Sequence, residues 1–132
     1  GVMPLEGLWW TEDMENFSVE DKSNWLWTAM IMQPDVVSEE IYDEAVTQVR
    51  KKKPTKSLDR LRFGSYDEGR AAQVMYVGPY ADEGSTIMDL HKFIKEQGGK
   101  LAESNKHHHE IYLGDPRRTE PSKLKTIIRQ PY

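Results

Sequence analysis

The sequence predicts an α+β fold, in which an antiparallel sheet carries helices on one face. Two observations predict it: short segments alternate apolar and polar residues as strands do, and two longer segments repeat apolar residues at helical spacing. The 132 residues are enough for one hydrophobic core and too few for two independent ones. We therefore expect a single domain over residues 1–132.

The first half of the chain predicts two strands followed by a helix. The strands are expected at residues 3–10 and 25–32, joined by a polar, acidic loop over residues 11–23. Ser38 is the expected N-cap of the helix, because its hydroxyl can accept a hydrogen bond from the first helical turn. Pro54 ends the helix, since proline cannot continue it.

The second half predicts four more strands and a second helix. The strands are expected at residues 58–66, 72–77, 107–113 and 124–129. The helix covers residues 83–97, and Gly98 and Gly99 end it. Its expected inward side chains are Ile87, Leu90, Phe93 and Ile94.

The order of these elements indicates two related halves. From residue 72 onward the order is strand, helix, strand, strand, whereas from residue 3 it is strand, strand, helix. If the fold consists of two strand–helix–strand–strand units about a pseudo-twofold axis, the first unit lacks its opening strand and helix. We therefore expect an N-terminally incomplete chain. The alternative is a fold that simply begins with a hairpin.

The composition limits the classes of partner. The formal net charge is −4, and nucleic-acid binding needs a basic face, so we expect no direct nucleic-acid partner. No apolar run approaches the ~20 residues of a membrane span, so we expect no membrane partner. The chain has no cysteine, which excludes disulfides and fits a cytoplasmic protein. The oligomeric state stays open.

The expected strand at residues 107–113 is the most informative segment, because it holds an ionisable carboxyl group between apolar neighbours. Side chains of a strand alternate between two faces. One face carries His108, Glu110 and Tyr112, and the other carries His109, Ile111 and Leu113. If Ile111 and Leu113 pack against helices, Glu110 points out of the opposite face of the sheet. There it either meets water or binds a cationic or hydrogen-bonding ligand.

The three adjacent histidines do not predict a metal site. Neighbouring residues of a strand point to opposite faces, so only His107 and His109 converge, and we expect no carboxylate near them. Exposed or hydrogen-bonded histidines are the simpler interpretation. We expect neither a metal nor a cofactor.

Aromatic residues are concentrated on the first two expected strands. These strands hold Trp9, Trp10, Trp25 and Trp27, more than a small core needs. Two interpretations of these tryptophans remain open: they pack in the hydrophobic core, or they form the walls of a ligand pocket. Trp9 is favoured over Trp10 for a pocket, because Trp10 adjoins the polar loop. Further walls with polar tips are expected from Tyr66, Tyr76, Tyr80 and Tyr112.

Several sequence blocks, taken together, are more specific than any of the single motifs above. They are Pro4-Leu5-Glu6-Gly7-Leu8-Trp9-Trp10, Trp27-Thr28, Met32-Gln33-Pro34, Gly78-Pro79-Tyr80, His108, Glu110-Ile111-Tyr112-Leu113, Asp115-Pro116-Arg117-Arg118 and Lys123-Leu124-Lys125-Thr126. With these blocks the whole chain resembles the stand-alone branch of the GyrI-like small-molecule-binding domain. The resemblance implies two strand–helix–strand–strand units about a pseudo-twofold axis, with a pocket between the halves. It also implies a further strand and helix before the first block.

The resemblance also implies functional residues. Glu110 matches a buried glutamate that meets cationic aromatic drugs in related drug-sensing activators. Some stand-alone members are hydrolases that open the cyclopropane ring of DNA-alkylating natural products, which here implies Glu110 and Tyr112 as the catalytic residues that handle water. The tryptophans would hold the flat aromatic ligand. The implied ligand-binding residues are Trp9, Trp27, Tyr66, Tyr76, Tyr80 and His108.

Two functions are therefore expected of one pocket. The first is a hydrolase of cyclopropane-bearing aromatic compounds that acts in detoxification. The alternative is a non-catalytic module that binds or senses amphipathic drugs. The partner in both is an aromatic small molecule. A purely structural adaptor is disfavoured by the excess of aromatic residues.

Overall fold

Five antiparallel strands, two α-helices and three short 3₁₀ helices form the regular structure of the described residues. The computed structural model describes residues 1–12, 23–101 and 107–132. The strands are β1 Leu5–Trp10, β2 Leu26–Ile31, β3 Ala71–Val77, β4 His108–Tyr112 and β5 Lys125–Pro131, and the helices are α1 Glu39–Lys52 and α2 Gly84–Glu96. The predicted α+β class is confirmed. Neither of these helices combines the length and the apolar character that crossing a membrane requires. Most of the loop predicted over residues 11–23 lies outside the described residues.

The sheet has the strand order β2-β1-β4-β5-β3, with each pair of neighbours antiparallel. Because β4 is the middle strand, both of its edges are paired. Glu110 on β4 lies opposite Gly7 of β1 on one side and opposite Ile128 of β5 on the other. The backbone that carries this carboxyl group is therefore fixed from both sides.

The described chain divides into two compact units, one of Gly1–Ile31 with Glu68–Tyr132 and one of Met32–Asp67. The second unit contains α1. Its predicted N-cap is confirmed, since the Ser38 hydroxyl accepts from the Ile41 amide at 3.3 Å. The expectation of a single domain over residues 1–132 stays a prediction.

The strand predicted at residues 58–66 is wrong. Its beginning belongs to a short 3₁₀ helix, Lys56–Arg60, and residues 61–69 form no regular element. The Thr55 hydroxyl N-caps this helix by accepting from the Ser57 amide at 3.4 Å, which favours a turn over an extended chain. Leu61 is also 51% exposed, so the alternating apolar residues lack the buried face that stabilises a strand.

A small hydrophobic core joins α2 to β3 and β5. It consists of Ala72, Ile87, Leu90, Ile94 and Ile128. The three α2 members of this core follow the predicted helical spacing. Phe93 is 48% exposed, so its predicted inward position is wrong; it lies one residue, about 100° of rotation, away from Ile94. The predicted end of the helix is confirmed by Gly98, whose φ of 78° is accessible mainly to glycine.

Helix α2 and Glu110 lie on the same face of the sheet. Val74, Ile128 and Glu110 are aligned across β3, β5 and β4, and Ile128 belongs to the core beneath α2. The conditional expectation was that helices pack on Ile111 and Leu113. For α2 this is corrected, because Ile111 is on the other face of the sheet and Leu113 lines the cavity. The reason is that α2 covers mainly β3 and β5. The neighbouring strands β4, β1 and β2 extend the same face beyond the helix, and the candidate site lies there.

Candidate functional site

A cavity of about 930 Å³ lies over β1, β2 and β4 in the first unit. This volume is within the range of small-molecule sites in proteins. Its aromatic lining consists of Trp9, Trp25, Trp27, Tyr80 and Tyr112. Two buried carboxyl groups, Glu83 and Glu110, lie among these rings. The cavity therefore combines flat apolar surfaces with ionisable groups that are shielded from water.

Glu110 is held by other side chains at both of its oxygens. His108 Nε2 lies 3.1 Å from Oε1, and the Tyr112 hydroxyl donates to Oε2 at 2.8 Å. Both partners come from the same face of β4, as strand alternation predicts. The Glu83 side chain, at the start of α2, is also hydrogen-bonded to Glu110. The carboxyl group is thus buried with its hydrogen-bonding capacity largely used.

These contacts set the protonation state of Glu110. Burial alone would raise the pKa of this carboxyl group, because it disfavours the charged form. The hydrogen bonds to His108, Glu83 and Tyr112, together with the electrostatic attraction of His108, outweigh burial and hold the pKa of Glu110 well below its usual value. Glu110 is therefore an anion at neutral pH inside a largely aromatic cavity.

Gly7 allows Trp9 to reach Tyr112. The Trp9 Nε1–H group donates to the Tyr112 hydroxyl at 3.0 Å. A Cβ atom on Gly7 would lie 2.7 Å from Trp9 Nε1 and 3.3 Å from the Tyr112 oxygen, so a larger residue would displace the indole. Burial and the negative charge of Glu110 raise the pKa of Tyr112, so its hydroxyl keeps its proton. A directed chain of hydrogen bonds therefore runs from Trp9 through Tyr112 to Glu110.

The aromatic lining suits a flat ligand. Trp9 is paired with Trp27 across β1 and β2, with ring centroids 6.4 Å apart, and its ring lies 5.7 Å from that of Trp25. Tyr80 meets Tyr112 edge-on at 5.7 Å. The Trp27 side chain is 63% exposed, so an incoming aromatic ligand can cover a large apolar surface.

The sequence matches the GyrI-like small molecule binding domain over residues 2–132. The chain belongs to the GyrI-like family. It is similar to the crystal structures of three Listeria innocua proteins: an uncharacterized conserved protein (41% identity, TM-score 0.86) and two described as hydrolases (38% and 40% identity, TM-score 0.79 for each). Each match covers 99% of this chain but only 62–64% of the Listeria protein, so this chain spans less than two thirds of their length. No match was found among curated proteins.

The cavity of this GyrI-like domain brings together five of the eight predicted site residues: Trp9, Trp27, Tyr80, Glu110 and Tyr112. Trp10 is directed elsewhere, since it stacks on His107 with ring centroids 4.2 Å apart. Of the two neighbouring tryptophans, Trp9 is therefore the one that lines the cavity. The functional roles of all these residues stay predictions.

The other three predicted residues do not line the cavity. His108 is 1% exposed and contacts Glu110 along the same face of β4, so it is placed to act on the carboxylate rather than on a ligand. The Tyr76 hydroxyl donates to the Pro79 carbonyl at 2.8 Å, and its ring packs against the core beneath α2. Tyr66 belongs to the second unit, Met32–Asp67.

His109 lies on the opposite face of the GyrI-like sheet, between two carboxylates. Its Nε2 is 2.8 Å from Glu6 Oε1 and its Nδ1 is 3.0 Å from Glu68 Oε2. The expectation that no carboxylate approaches this face is wrong, because Glu6 comes from the neighbouring strand and Glu68 from a distant turn. Arg129 Nη1 also donates to Glu68, at 2.9 Å. Within the described ranges, no group of three or more potential ligands is arranged to hold a metal ion.

Two features of the cavity were not predicted. Glu83 was expected only as the first residue of a helix, where an acidic side chain ordinarily complements the helix dipole. At the mouth, Arg117 donates to Asp115 through Nε at 3.0 Å and Nη2 at 2.9 Å, and both residues line the cavity. The sequence signal for this ion pair was the Asp115-Pro116-Arg117-Arg118 block, to which no role had been assigned.

Proposed function

We propose that this GyrI-like protein hydrolyses the cyclopropane ring of DNA-alkylating aromatic compounds, as a detoxification step in the cytoplasm. The observation that carries the proposal is the ionised Glu110, oriented by Tyr112 inside a tryptophan-lined cavity. Two Listeria innocua relatives described as hydrolases favour a hydrolytic function. The cyclopropane substrate comes from the family resemblance and from the chemistry below.

Binding uses the aromatic lining. A flat substrate stacks against Trp9 and Trp27, whose rings lie 6.4 Å apart on neighbouring strands, and contacts the edge of Tyr80. Aromatic contacts of this kind contribute about 0.5–1.5 kcal/mol each beyond the area they bury. Stacking therefore holds the reacting ring beside the carboxylate without requiring a charge on the substrate.

In the proposed reaction, water opens a strained ring that is conjugated to a carbonyl group. A C–O bond forms at the ring methylene, the neighbouring C–C bond breaks, and its electron pair moves through the conjugated system to the carbonyl oxygen. Bulk water at the cavity mouth protonates that oxygen. Overall, one water molecule is added and no oxidant or reductant is needed.

Glu110 orients the attacking water and then accepts its proton. Because the pKa of Glu110 is well below its usual value, the carboxylate is a weak base towards free water. Once the C–O bond forms, the attached water becomes a protonated alcohol, a far stronger acid, and Glu110 can take its proton. Positioned acid–base groups of this kind typically contribute about 10²–10⁴-fold in rate.

Tyr112 acts as the residue that positions Glu110. Its hydroxyl accepts from Trp9 at 3.0 Å and donates to Glu110 at 2.8 Å. Since burial and the Glu110 charge raise the pKa of Tyr112, it retains its proton throughout. In this scheme Tyr112 fixes the carboxylate oxygens relative to the bound ring and does not transfer a proton itself.

The test is to incubate the full chain with a duocarmycin-type cyclopropane compound and follow the ring-opened product by mass spectrometry. We expect product from the wild type and at least about a hundredfold less from Glu110→Gln. Glu120→Gln is the matched control, because it makes the same chemical change at an exposed carboxylate outside the cavity. Absence of product, or equal product from wild type and Glu110→Gln, would overturn the proposal.

A second candidate is a module that binds cationic aromatic drugs without changing them. The ionised Glu110 between aromatic rings favours it, because a buried anion and ring faces both attract a cation. For this function, Glu110→Gln should weaken a cationic ligand far more than its neutral analogue, as measured by quenching of tryptophan fluorescence. An equal loss for both ligands would exclude it.

A further inference from the structure

Glu83 is a second buried carboxyl group in the cavity, and the ring-opening scheme does not use it. It is 9% exposed and lines the same cavity as Glu110. Glu83 occupies the N-cap position of α2, where an acidic side chain ordinarily accepts from a backbone amide. Its side chain makes no capping hydrogen bond. It is hydrogen-bonded to the Glu110 side chain instead, so it serves the cavity rather than the helix.

A hydrogen bond between two carboxyl groups requires a proton on one of them. Ionised carboxylates only accept hydrogen bonds, and two negative charges in one buried site disfavour each other. The partners of Glu110 decide where the proton resides. The Tyr112 donor at 2.8 Å and His108 at 3.1 Å stabilise negative charge on Glu110. The proton therefore belongs on Glu83.

We propose that Glu83 and Glu110 share a single proton, which Glu83 carries, and that Glu83 is a positioning residue for the Glu110 carboxylate. The hydrogen bond that Glu83 donates occupies one lone pair of the Glu110 carboxylate. It thereby determines which of the other lone pairs can accept a hydrogen bond from the attacking water. After ring opening, Glu110 holds the proton taken from that water. The pair then carries two protons and releases one to bulk solvent before the next turnover. The role of Glu83 in turnover rests on the proposed hydrolysis, whereas the shared proton does not.

Several other titratable and charged groups face the pair. Strand β4 contributes His108 and Tyr112, the turn before α2 contributes Tyr80, and β3 contributes Tyr76, which faces Glu83. Asp82 faces Tyr76, and Asp115 and Arg117 line the cavity. Burial, together with the surrounding carboxylates, raises the pKa of each of the three tyrosines. Loss of the proton from Glu83 is therefore expected before any of these three tyrosines ionises.

The direct test is a carbon-13 NMR titration of the assigned glutamate carboxyl groups in the full chain. We expect Glu83 to be protonated at pH 7 and Glu110 to be ionised. Glu83→Gln assigns the Glu83 resonance. Ionisation of both groups at pH 7, or protonation of Glu110 rather than Glu83, would overturn the proposal. This measurement needs no substrate, so its outcome is independent of whether the protein hydrolyses cyclopropanes.

The kinetic test compares two variants on the duocarmycin-type compound. Glu83→Gln keeps a neutral donor, whereas Glu83→Ala removes it, so kcat/KM at pH 7 should be about tenfold higher for the glutamine variant than for the alanine variant. Wild-type kcat/KM should fall at alkaline pH as Glu83 ionises, and Glu83→Gln should lack that fall. Equal activity of the two variants, or the same alkaline fall in Glu83→Gln, would contradict a positioning role.

Discussion

The Trp9 indole donates to the Tyr112 hydroxyl at 3.0 Å, and this contact links a wall of the cavity to its buried carboxylate. Because Tyr112 also donates to Glu110 at 2.8 Å, Trp9 and the Glu110 carboxylate are linked through one hydroxyl. In the proposed function, this hydrogen-bonded chain couples ligand binding at Trp9 to the chemistry at Glu110.

Gly7→Ala should displace Trp9. The added Cβ would lie 2.7 Å from Trp9 Nε1, which is too close for a non-bonded contact. We expect a loss of about 1–3 kcal/mol in the free energy of unfolding and weaker binding of flat aromatic ligands, measured by urea unfolding and fluorescence quenching. Gly64→Ala is the matched control, because a Cβ there meets no atom within 4 Å. If the two variants behave alike, Gly7 has no role in holding Trp9.

Tyr112→Phe should raise the pKa of Glu110, since it removes a donor to the charged form. The acid limb of the pH–rate profile should move to higher pH. Activity at neutral pH should fall about 10–100-fold, because the carboxylate loses its orientation. Tyr42→Phe in the second unit is the control. An unshifted acid limb would mean that Tyr112 does not influence Glu110.

The stability of the protein should depend on pH through His91. Burial, and then repulsion by His108 and Lys95, lower the pKa of this residue from 6.5 to about 4. Since the unfolded chain binds the proton more tightly, stability should fall as pH drops from about 6.5 to about 4, by roughly 2 kcal/mol after allowance for partial exposure. Urea unfolding across this range would show a flatter dependence for His91→Gln. An unchanged slope in that variant would assign the effect to other groups.

His109→Gln should destabilise the fold more than His107→Gln. The His109 ring is 2% exposed and lies between Glu6 and Glu68, so its loss leaves a buried and a partly buried carboxylate without their shared partner. Leaving a buried hydrogen-bonding group without its partner typically costs about 1–3 kcal/mol. Denaturant unfolding of the two variants gives the comparison. Equal losses in the two variants would show that the contacts of His109 with Glu6 and Glu68 contribute little to the free energy of unfolding.

Local patterns predicted both α-helices, all five strands and the shared face of His108, Glu110 and Tyr112, although they also predicted one strand that does not form. The alternation of His108, Glu110 and Tyr112 needed only the two-residue period of a strand, and the buried stripe of α2 needed only helical spacing. These predictions depend on neighbours in the sequence. The pairing of Trp9 with Tyr112 is different, because the two residues are 103 positions apart and meet only through the sheet register.

Contacts between distant segments were the part that the sequence did not reveal. Glu83 meets Glu110 because α2 packs on the same face as the carboxylate, whereas the conditional expectation had helices packing on Ile111 and Leu113. His109 meets Glu6 and Glu68 through strand pairing and a turn far away in the chain. The strand expected at residues 58–66 failed because Thr55 caps a 3₁₀ turn at its start and because alternating residues such as Leu61 have no buried face to cover.

Hydrolysis in ¹⁸O-labelled water tests most directly whether Glu110 directs water onto the cyclopropane ring. In single-turnover reactions with the duocarmycin-type compound, the wild type and Glu120→Gln should give a ring-opened product that carries one ¹⁸O atom. Glu110→Gln should give the same product at only the uncatalysed rate. An unlabelled ring-opened product, or labelled product formed equally fast by Glu110→Gln, would contradict this account of the site.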